Sequence, residues 1–255
     1  MHLQSILNKY APRSLENYNS NITTLKSGLK SWASSCYISI NNSGSRAKGT
    51  AISLASDVDY LISLSSACNA NNGGLKSIYD SLHSHLKARY NRIRKQNVSF
   101  RIKIDALEVD ITPARKHSGN TNNHWIYVSK IDSWRQTNIQ KHISDISNSG
   151  RLNEIKLLKI WRELNELDFS SIYLEYLTLN ILSGKSKDYS KLGDNFWFIL
   201  QELSKDVSNP LTRRIIDPAN STNILSDLLN STEKNAIISK AKLAVGQKCW
   251  SKIVW

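Results

Sequence analysis

Two aspartates one residue apart, Asp57 and Asp59, stand in the run Ser56-Asp-Val-Asp-Tyr60, and eleven residues separate Asp57 from Ser45 of an upstream Gly44-Ser45 pair. In an extended segment, residues two apart project from the same face, so both carboxylates can grip one or two divalent cations through hard oxygen ligands. Glycine lets a backbone approach an anion closely, and a turn at Gly44-Ser45 opens N–H donors and a hydroxyl toward a phosphate chain. Cation ligands beside phosphate donors are the equipment of phosphoryl transfer. A third carboxylate on a neighbouring strand would complete a two-metal arrangement. Leu107-Glu-Val-Asp-Ile-Thr-Pro113 supplies candidates, with Glu108 and Asp110 on one face and Leu107, Val109 and Ile111 on the other. Taken singly these signals are weak, since Gly-Ser turns are common and an Asp-x-Asp pair is more often a solvated strand edge. Their combination is much more specific.

The order Gly-Ser, then Asp-hydrophobic-Asp about a dozen residues on, resembles the signature of the DNA-polymerase-β-like nucleotidyltransferases. That resemblance selects Asp110 over Glu108 as the third acidic residue, because Asp110 stands in a hydrophobic-Asp-hydrophobic-x-Pro context. Lys48-Gly-Thr-Ala-Ile52 together with Ser56-Asp-Val-Asp59 looks like oligoadenylate synthases, cyclic GMP–AMP synthase, their bacterial CD-NTase relatives and archaeal-type CCA-adding enzymes. Trp134-Arg-Gln-Thr-Asn138 with His142, Ile155 to Trp161, Ser171 to Leu177, Asp217 to Asn220, and Asn223 follow the family's order of helical-lobe landmarks, so the resemblance covers most of the chain.

The resemblance implies an α+β fold: a polymerase-β-like nucleotidyltransferase core (a mixed sheet with helices) over 1–137, a C-terminal helical lobe over 138–255, and the active site in the cleft between them. Asp57, Asp59 and Asp110 would be the catalytic residues and the ligands of two Mg²⁺ or Mn²⁺ ions. Gly44, Ser45, Lys48, Lys159, Ser171 and Tyr173 would contact the nucleotide. For Lys159 the plain alternative is a solvated helix face shared with Lys156 and Glu163. One departure bears on the base: where several signalling members place a tyrosine right after the serine, this chain has Ile172, and Tyr173 comes one position later. A one-residue shift turns a helical side chain by roughly 100°.

The implied reaction is template-independent attack of a hydroxyl on the α-phosphorus of a nucleoside triphosphate, ATP or dATP as the first guess, with release of pyrophosphate. The product would be a cyclic or linear oligonucleotide signal in bacterial antiphage defence, read by a downstream effector protein. The alternative is RNA 3′-end addition in the CCA-adding manner, with an RNA or oligonucleotide acceptor. Nucleotide transfer onto a protein or small molecule is a third reading. A non-catalytic nucleotide or RNA sensor is a fourth, which the intact carboxylate set argues against.

The elements that must hold these residues are legible from periodicity. Leu15, Ile22, Leu25, Leu29 and Trp32 predict a packing helix over 15–34. Cys36 to Ile40 alternates as a strand, Asn41 to Ala47 is polar and turn-forming, and Asp57 to Leu64 is rich in strand formers. Gly74 to Gln96 reads as one basic helix. Phe100 to Ile111 alternates as two strands turning at Asp105-Ala106. From Asn138 onward helices are expected at 139–146, 153–167, 171–182, 195–205 and 233–245.

Thirty-four Lys and Arg against 21 Asp and Glu leave a net charge of +13, an excess that suits polyanionic partners or simply solubility. A hydrophobic content of 40% with 22% charged residues is that of an ordinary globular protein. No apolar run of about 18 residues suits a bilayer, and the N-terminal residues lack a secretion-signal pattern, so a cytoplasmic protein without membrane contact is expected. Cys36, Cys68 and Cys249, odd in number and scattered, are expected to be free thiols. His83, His85, His117, His124 and His142 share no zinc-ligand spacing. Trp125, Trp134, Trp161 and Trp197 are expected to pack, and the basic run Lys87, Arg89, Arg92, Arg94 and Lys95 suits an acceptor strand and a solvated face equally.

Overall fold

The computed structural model describes residues 2–55, 57–119 and 121–255. The chain forms two compact units, each discontinuous in sequence: a sheet unit of residues 14–47 and 56–143, and a helical unit of residues 1–13, 48–55 and 144–255.

In the sheet unit, seven strands run in the order β1 (Tyr37–Ser43), β2 (Val58–Leu64), β5 (Leu107–Lys116), β4 (Phe100–Ile104), β3 (Ile93–Lys95). The far end of β5 also pairs with β6 (His124–Val128), which pairs with β7 (Ser133–Thr137). Among the described residues only β2 and β5 are parallel neighbours, so the sheet is mixed as expected. Period-two alternation decides which side chains meet the core. Val58, Tyr60, Ile62 and Leu64 of β2, Leu107, Val109 and Ile111 of β5, and Phe100, Ile102 and Ile104 of β4 are buried in one apolar cluster. That cluster is closed by α2 (Asn19–Ala33), through Ile22, Leu25 and Leu29, and by α4 (Gly74–Lys87), through Leu75, Ile78, Tyr79, Leu82 and Leu86. Asp59, Arg101, Glu108 and Asp110 fall on the alternate positions, so they share the face turned away from those two helices.

Three local expectations change. Asn41 to Ser43 extend β1 rather than turning, because they pair with Leu61, Tyr60 and Asp59 of β2, and the turn is taken by a short helix α3 (Gly44–Lys48). The basic helix stops at Lys87, since Ile93 to Lys95 pair with Ile102 to Phe100 as an edge strand. Trp134 to Thr137, expected among the helical-lobe landmarks, belong to β7 of the sheet, and Trp134 is 63% exposed rather than packed.

Cys36 and Cys68 are joined in a disulfide, contrary to the expectation of free thiols; Cys249 is free and exposed. Scattered spacing misleads here because antiparallel pairing of β1 with β2 closes the gap. The Ser65 amide donates to the Cys36 carbonyl at 2.8 Å, and the two cysteine Cα atoms come within 5.4 Å.

The helical unit packs α1 (His2–Lys9), α6 (Leu152–Leu164), α7 (Ser171–Ile181), α8 (Leu192–Leu203) and α9 (Ser231–Val245), with a small hairpin of β8 (Ile216–Asp217) and β9 (Asn220–Ile224). A further helix, α5 (Ile139–Ser147), leads into it from the sheet unit. α6 is enclosed on most sides, as Ile155, Leu157, Leu158, Ile160 and Trp161 are all buried. Glu154, Lys159 and Arg162 of the same helix are buried as well, so it is covered on its polar side too and lies at the centre of its unit. α9 starts on a reciprocal capping box, with the Glu233 amide donating to the Asn230 side chain at 3.0 Å and the Asn230 amide to Glu233 at 2.7 Å. Among the described residues no helix is long and apolar enough to cross a membrane.

Candidate active site

The parallel register of β2 and β5 sets Asp59 beside Asp110, and Asp57 stands one residue before β2 begins. β1 lies against the other edge of β2 with Ser43 opposite Asp59, so the chain enters the Gly44-Ser45 turn next to that carboxylate. Gly44 has φ +63°, and a Cβ built on it would sit 1.9 Å from Oδ2 of Asp59. Only a residue without a side chain lets the turn and the carboxylate lie this close. Gly44→Ala is therefore expected to push Asp59 off its position and cut kcat/KM by about a hundredfold or more, the usual penalty for an ångström-scale misplacement of a catalytic group. Steady-state kinetics beside a melting curve would check it, an unchanged kcat/KM counting against the contact.

Asp110 is mostly buried, and its neighbours come from β4. Arg101 lies opposite it in the antiparallel pair and donates from Nε to Oδ1 and from Nη2 to Oδ2, both at 2.8 Å. The same guanidinium donates from Nη1 to Glu108 Oε2 at 2.8 Å and from Nη2 to Asp57 Oδ2. Gln96 adds a longer contact, Nε2 to Asp110 Oδ1 at 3.3 Å, and is itself held by Ser99 Oγ at 2.7 Å. Burial pushes the Asp57 carboxyl up from its usual value; Arg101 opposes that, and the nearby Asp110 and Glu108 charges add to it. Hydrogen bonding to the Asp110 carboxylate holds Arg101 firmly in its charged form.

Lys48, Lys159, Ser171 and Tyr173 all belong to the helical unit. Lys159 is 2% exposed, not on a solvated face, and its Nζ donates to Glu175 Oε1 at 2.7 Å and Thr50 Oγ1 at 2.9 Å. Lys48 Nζ reaches the other oxygen of Glu175 at 2.6 Å, and Thr50 Oγ1 donates to Oε1 at 2.8 Å. One buried carboxylate thus serves two ammonium groups. Burial would raise Glu175, but Lys48 and Lys159 overcome it and hold the group down at about 2. Lys159 is lowered, by burial first and by Lys48, with Glu175 pulling the other way. Both directions describe a carboxylate that gains from two cations while each cation has only a share of it. Ser171 Oγ accepts from Arg162 Nη1 at 2.9 Å. Tyr173 is fully enclosed against Phe169, and burial raises its hydroxyl to about 12. Among the described residues its hydroxyl has no hydrogen-bond partner.

The candidate residues therefore assemble in two sets: Gly44, Ser45, Asp57, Asp59 and Asp110 in the sheet unit, and Lys48, Lys159, Ser171 and Tyr173 in the helical unit. Arg101 and Glu175 belong to these sets and were not among the candidates read from the sequence.

The family model for the Second Messenger Oligonucleotide or Dinucleotide Synthetase (SMODS) domain matches residues 2–149. The chain belongs to the SMODS family. The SMODS chain shares its fold with CdnC of Escherichia coli MS115-1, solved with HORMA-deltaN, at TM-score 0.70 and 21% identity over 96% of this chain and 88% of that one. It likewise matches the CD-NTase CdnG of Bradyrhizobium diazoefficiens, solved with GTP, at TM-score 0.73 and 11% identity over 99% and 95%. DncV, the cyclic AMP-GMP synthase of Vibrio cholerae, matches at TM-score 0.63 and 20% identity over 82% and 62%. No curated protein sequence matches the chain. SMODS proteins are nucleotidyltransferases of the polymerase-β-like superfamily that make nucleotide second messengers, and the family typically uses divalent metals.

The residues suit such ions in kind and register: hard carboxylate oxygens on adjoining strands, with Asp59 set in a space that a Cβ at Gly44 would fill. As the side chains stand, no group of three His, Cys, Asp or Glu among the described residues converges to hold a metal. Arg101 spans Asp57, Glu108 and Asp110 instead.

Proposed function

We propose that this enzyme joins nucleoside triphosphates into a free cyclic or linear oligonucleotide signal, serving bacterial antiphage defence in the cytoplasm. The observation that carries the proposal is the side-by-side placement of Asp59 and Asp110 on parallel strands, with Gly44 closed against Asp59. Asp57 and Asp59 would hold the Mg²⁺ or Mn²⁺ that accompanies the triphosphate, and Asp110 the one beside the attacking hydroxyl. When bound, such ions neutralise charge on the attacking and leaving oxygens and make the hydroxyl more acidic. Ser45 and the Gly44 turn would steady the β- and γ-phosphates. Lys48, Lys159 and Ser171 complete the proposed nucleotide contacts, with Glu175 fixing where the two lysine ammonium groups lie, whereas Tyr173, enclosed in the core, has no face to offer a base. In the reaction the hydroxyl oxygen bonds to the α-phosphorus, the α–β phosphoanhydride bond breaks, and pyrophosphate leaves.

ATP or dATP is the first substrate to try, and GTP the second, since the similar CdnG was solved with GTP and DncV is named a cyclic AMP-GMP synthase. A protein partner is part of the proposal as well, given that the CdnC relative was solved with a HORMA protein. The test is to incubate the purified protein with each ribo- and deoxyribonucleoside triphosphate, with and without cellular RNA, and identify products by mass spectrometry. A free di- or oligonucleotide from triphosphates alone is expected. No product until tRNA is added, followed by tRNA elongation, would replace this reading with RNA 3′-end addition, and a protein-bound nucleotide would replace it with protein modification.

A further inference from the structure

Arg101 is the cation that the acidic face already possesses. It sits on β4 opposite Asp110, and its guanidinium reaches Asp110 through two nitrogens, Glu108 through a third contact and Asp57 through a fourth. Its side chain is 22% exposed, against 49% for Glu108 and 12% for Asp110. A guanidinium donates only, does not deprotonate in proteins, and binds carboxylates in a fixed planar geometry. The acidic face therefore carries a permanent positive charge between Asp57 and Asp110, two of the carboxylates assigned to cation binding.

We propose that Arg101 is a built-in counter-cation that a divalent metal must displace. In the metal-free protein it draws Asp57 and Asp110 together and cancels part of their charge, so a bare divalent ion meets both a competitor and a repulsive charge. Glu108, on the same face of β5 and half in solvent, gives the displaced guanidinium a carboxylate to keep. A triphosphate offers it a stronger inducement, since phosphate oxygens accept from a guanidinium in the same forked manner as a carboxylate. Cation uptake is then coupled to nucleotide uptake: free metal is held weakly, and metal arriving with the triphosphate is held well. Arg101 is in this sense a positioning residue, acting through the carboxylates. The inference rests on the cation-binding role proposed for Asp57, Asp59 and Asp110.

Mn²⁺ binding without nucleotide, followed by electron paramagnetic resonance of the free ion, separates this role from that of an ordinary ion pair. Removing a merely structural arginine leaves affinity unchanged or lowers it. Removing a competing cation raises it. Arg101→Met is expected to bind Mn²⁺ at least about tenfold more tightly than the wild type, because a unit charge within a few ångströms of the ion is gone. Arg101→Gln, which keeps hydrogen bonds to the carboxylates without the charge, carries the same expectation should the methionine variant fold poorly. Arg101→Lys should stay near the wild type. With a non-hydrolysable triphosphate present, the gap between wild type and Arg101→Met should narrow to about threefold or less. If both neutral variants bind Mn²⁺ no more tightly than the wild type while Asp59→Asn abolishes binding, the displacement idea is overturned and the metal site stands. If Asp59→Asn leaves Mn²⁺ binding intact, the metal site itself is misassigned and the counter-cation falls with it.

Discussion

Asp110→Asn is expected to bind a metal–triphosphate within about an order of magnitude of the wild type, yet to lose at least about a thousandfold in single-turnover rate, roughly 4 kcal/mol of barrier. The asparagine keeps the size and one oxygen of the aspartate but not its charge, and Asp110 is the carboxylate assigned to the cation beside the attacking hydroxyl. The turn at Gly44 and its contact with Asp59 lie across β2 from it and should be undisturbed. Arg101 would keep Asp57 and Glu108 as partners, so the β4–β5 face should remain assembled. Asp59→Asn should lose both binding and rate. Titration calorimetry with a non-hydrolysable triphosphate, run beside rapid-quench kinetics, distinguishes the two. Wild-type rates for Asp110→Asn would move the third acidic role to Glu108 or off this strand.

Glu175→Leu should be the most damaging single change to stability. It leaves the Lys48 and Lys159 ammonium groups enclosed without their carboxylate, and breaking a buried ion pair from one side costs about 3–5 kcal/mol. For a chain of this size that is a fall in Tm of about 10 °C. Combining it with Lys159→Met should recover much of the loss, as one unpaired charge is removed. A double variant no more stable than Glu175→Leu alone would mean that the carboxylate matters for something other than charge. The acid limb carries a matching signature. Because the folded protein holds Glu175 at about 2, below its ordinary 4.5, the stability it contributes is complete above that ordinary value. It is lost as pH falls toward 2. Glu175→Gln should be less stable than the wild type at neutral pH and less sensitive to acid, measurable as thermal midpoints from pH 6 down to pH 2.

The carboxylates were legible from the sequence because alternation and a short spacing carry their own geometry. Strand periodicity puts Asp57 with Asp59, and Glu108 with Asp110, on one face of each segment; the family resemblance picks Asp110 of the second pair, and the β2–β5 register then sets it beside Asp59. Arg101 was equally within reach. A two-residue turn at Asp105-Ala106 pairs positions equidistant from it, and Arg101 and Asp110 are such a pair. An arginine alternating in a strand carries no ligand signature of its own, and only its cross-strand partner shows what it balances. Glu175 carried a different signal, a lone acid in the apolar run Ser171-Ile-Tyr-Leu-Glu-Tyr-Leu177, which demands a buried partner. Its partners lie 127 and 16 residues away, and no local pattern names them. The Cys36–Cys68 bridge was missed for the same reason, since it depends on which strands become neighbours, a long-range property that periodicity does not encode.

The chain passes between the two units four times, at residues 13–14, 47–48, 55–56 and 143–144. Leu3, Ile6 and Ile52 accordingly share their apolar cluster with residues beyond Ile146, and Lys48 and Thr50 share Glu175 with α7. Severing the protein after Ile143 would strand those residues on the wrong fragment and leave the other fragment with an open core and an uncapped carboxylate. Neither unit is a cassette. Recombination that swapped the helical unit for a homologue's would have to replace three separate stretches at once, and the sheet unit two, so the pair can change only as a single heritable piece.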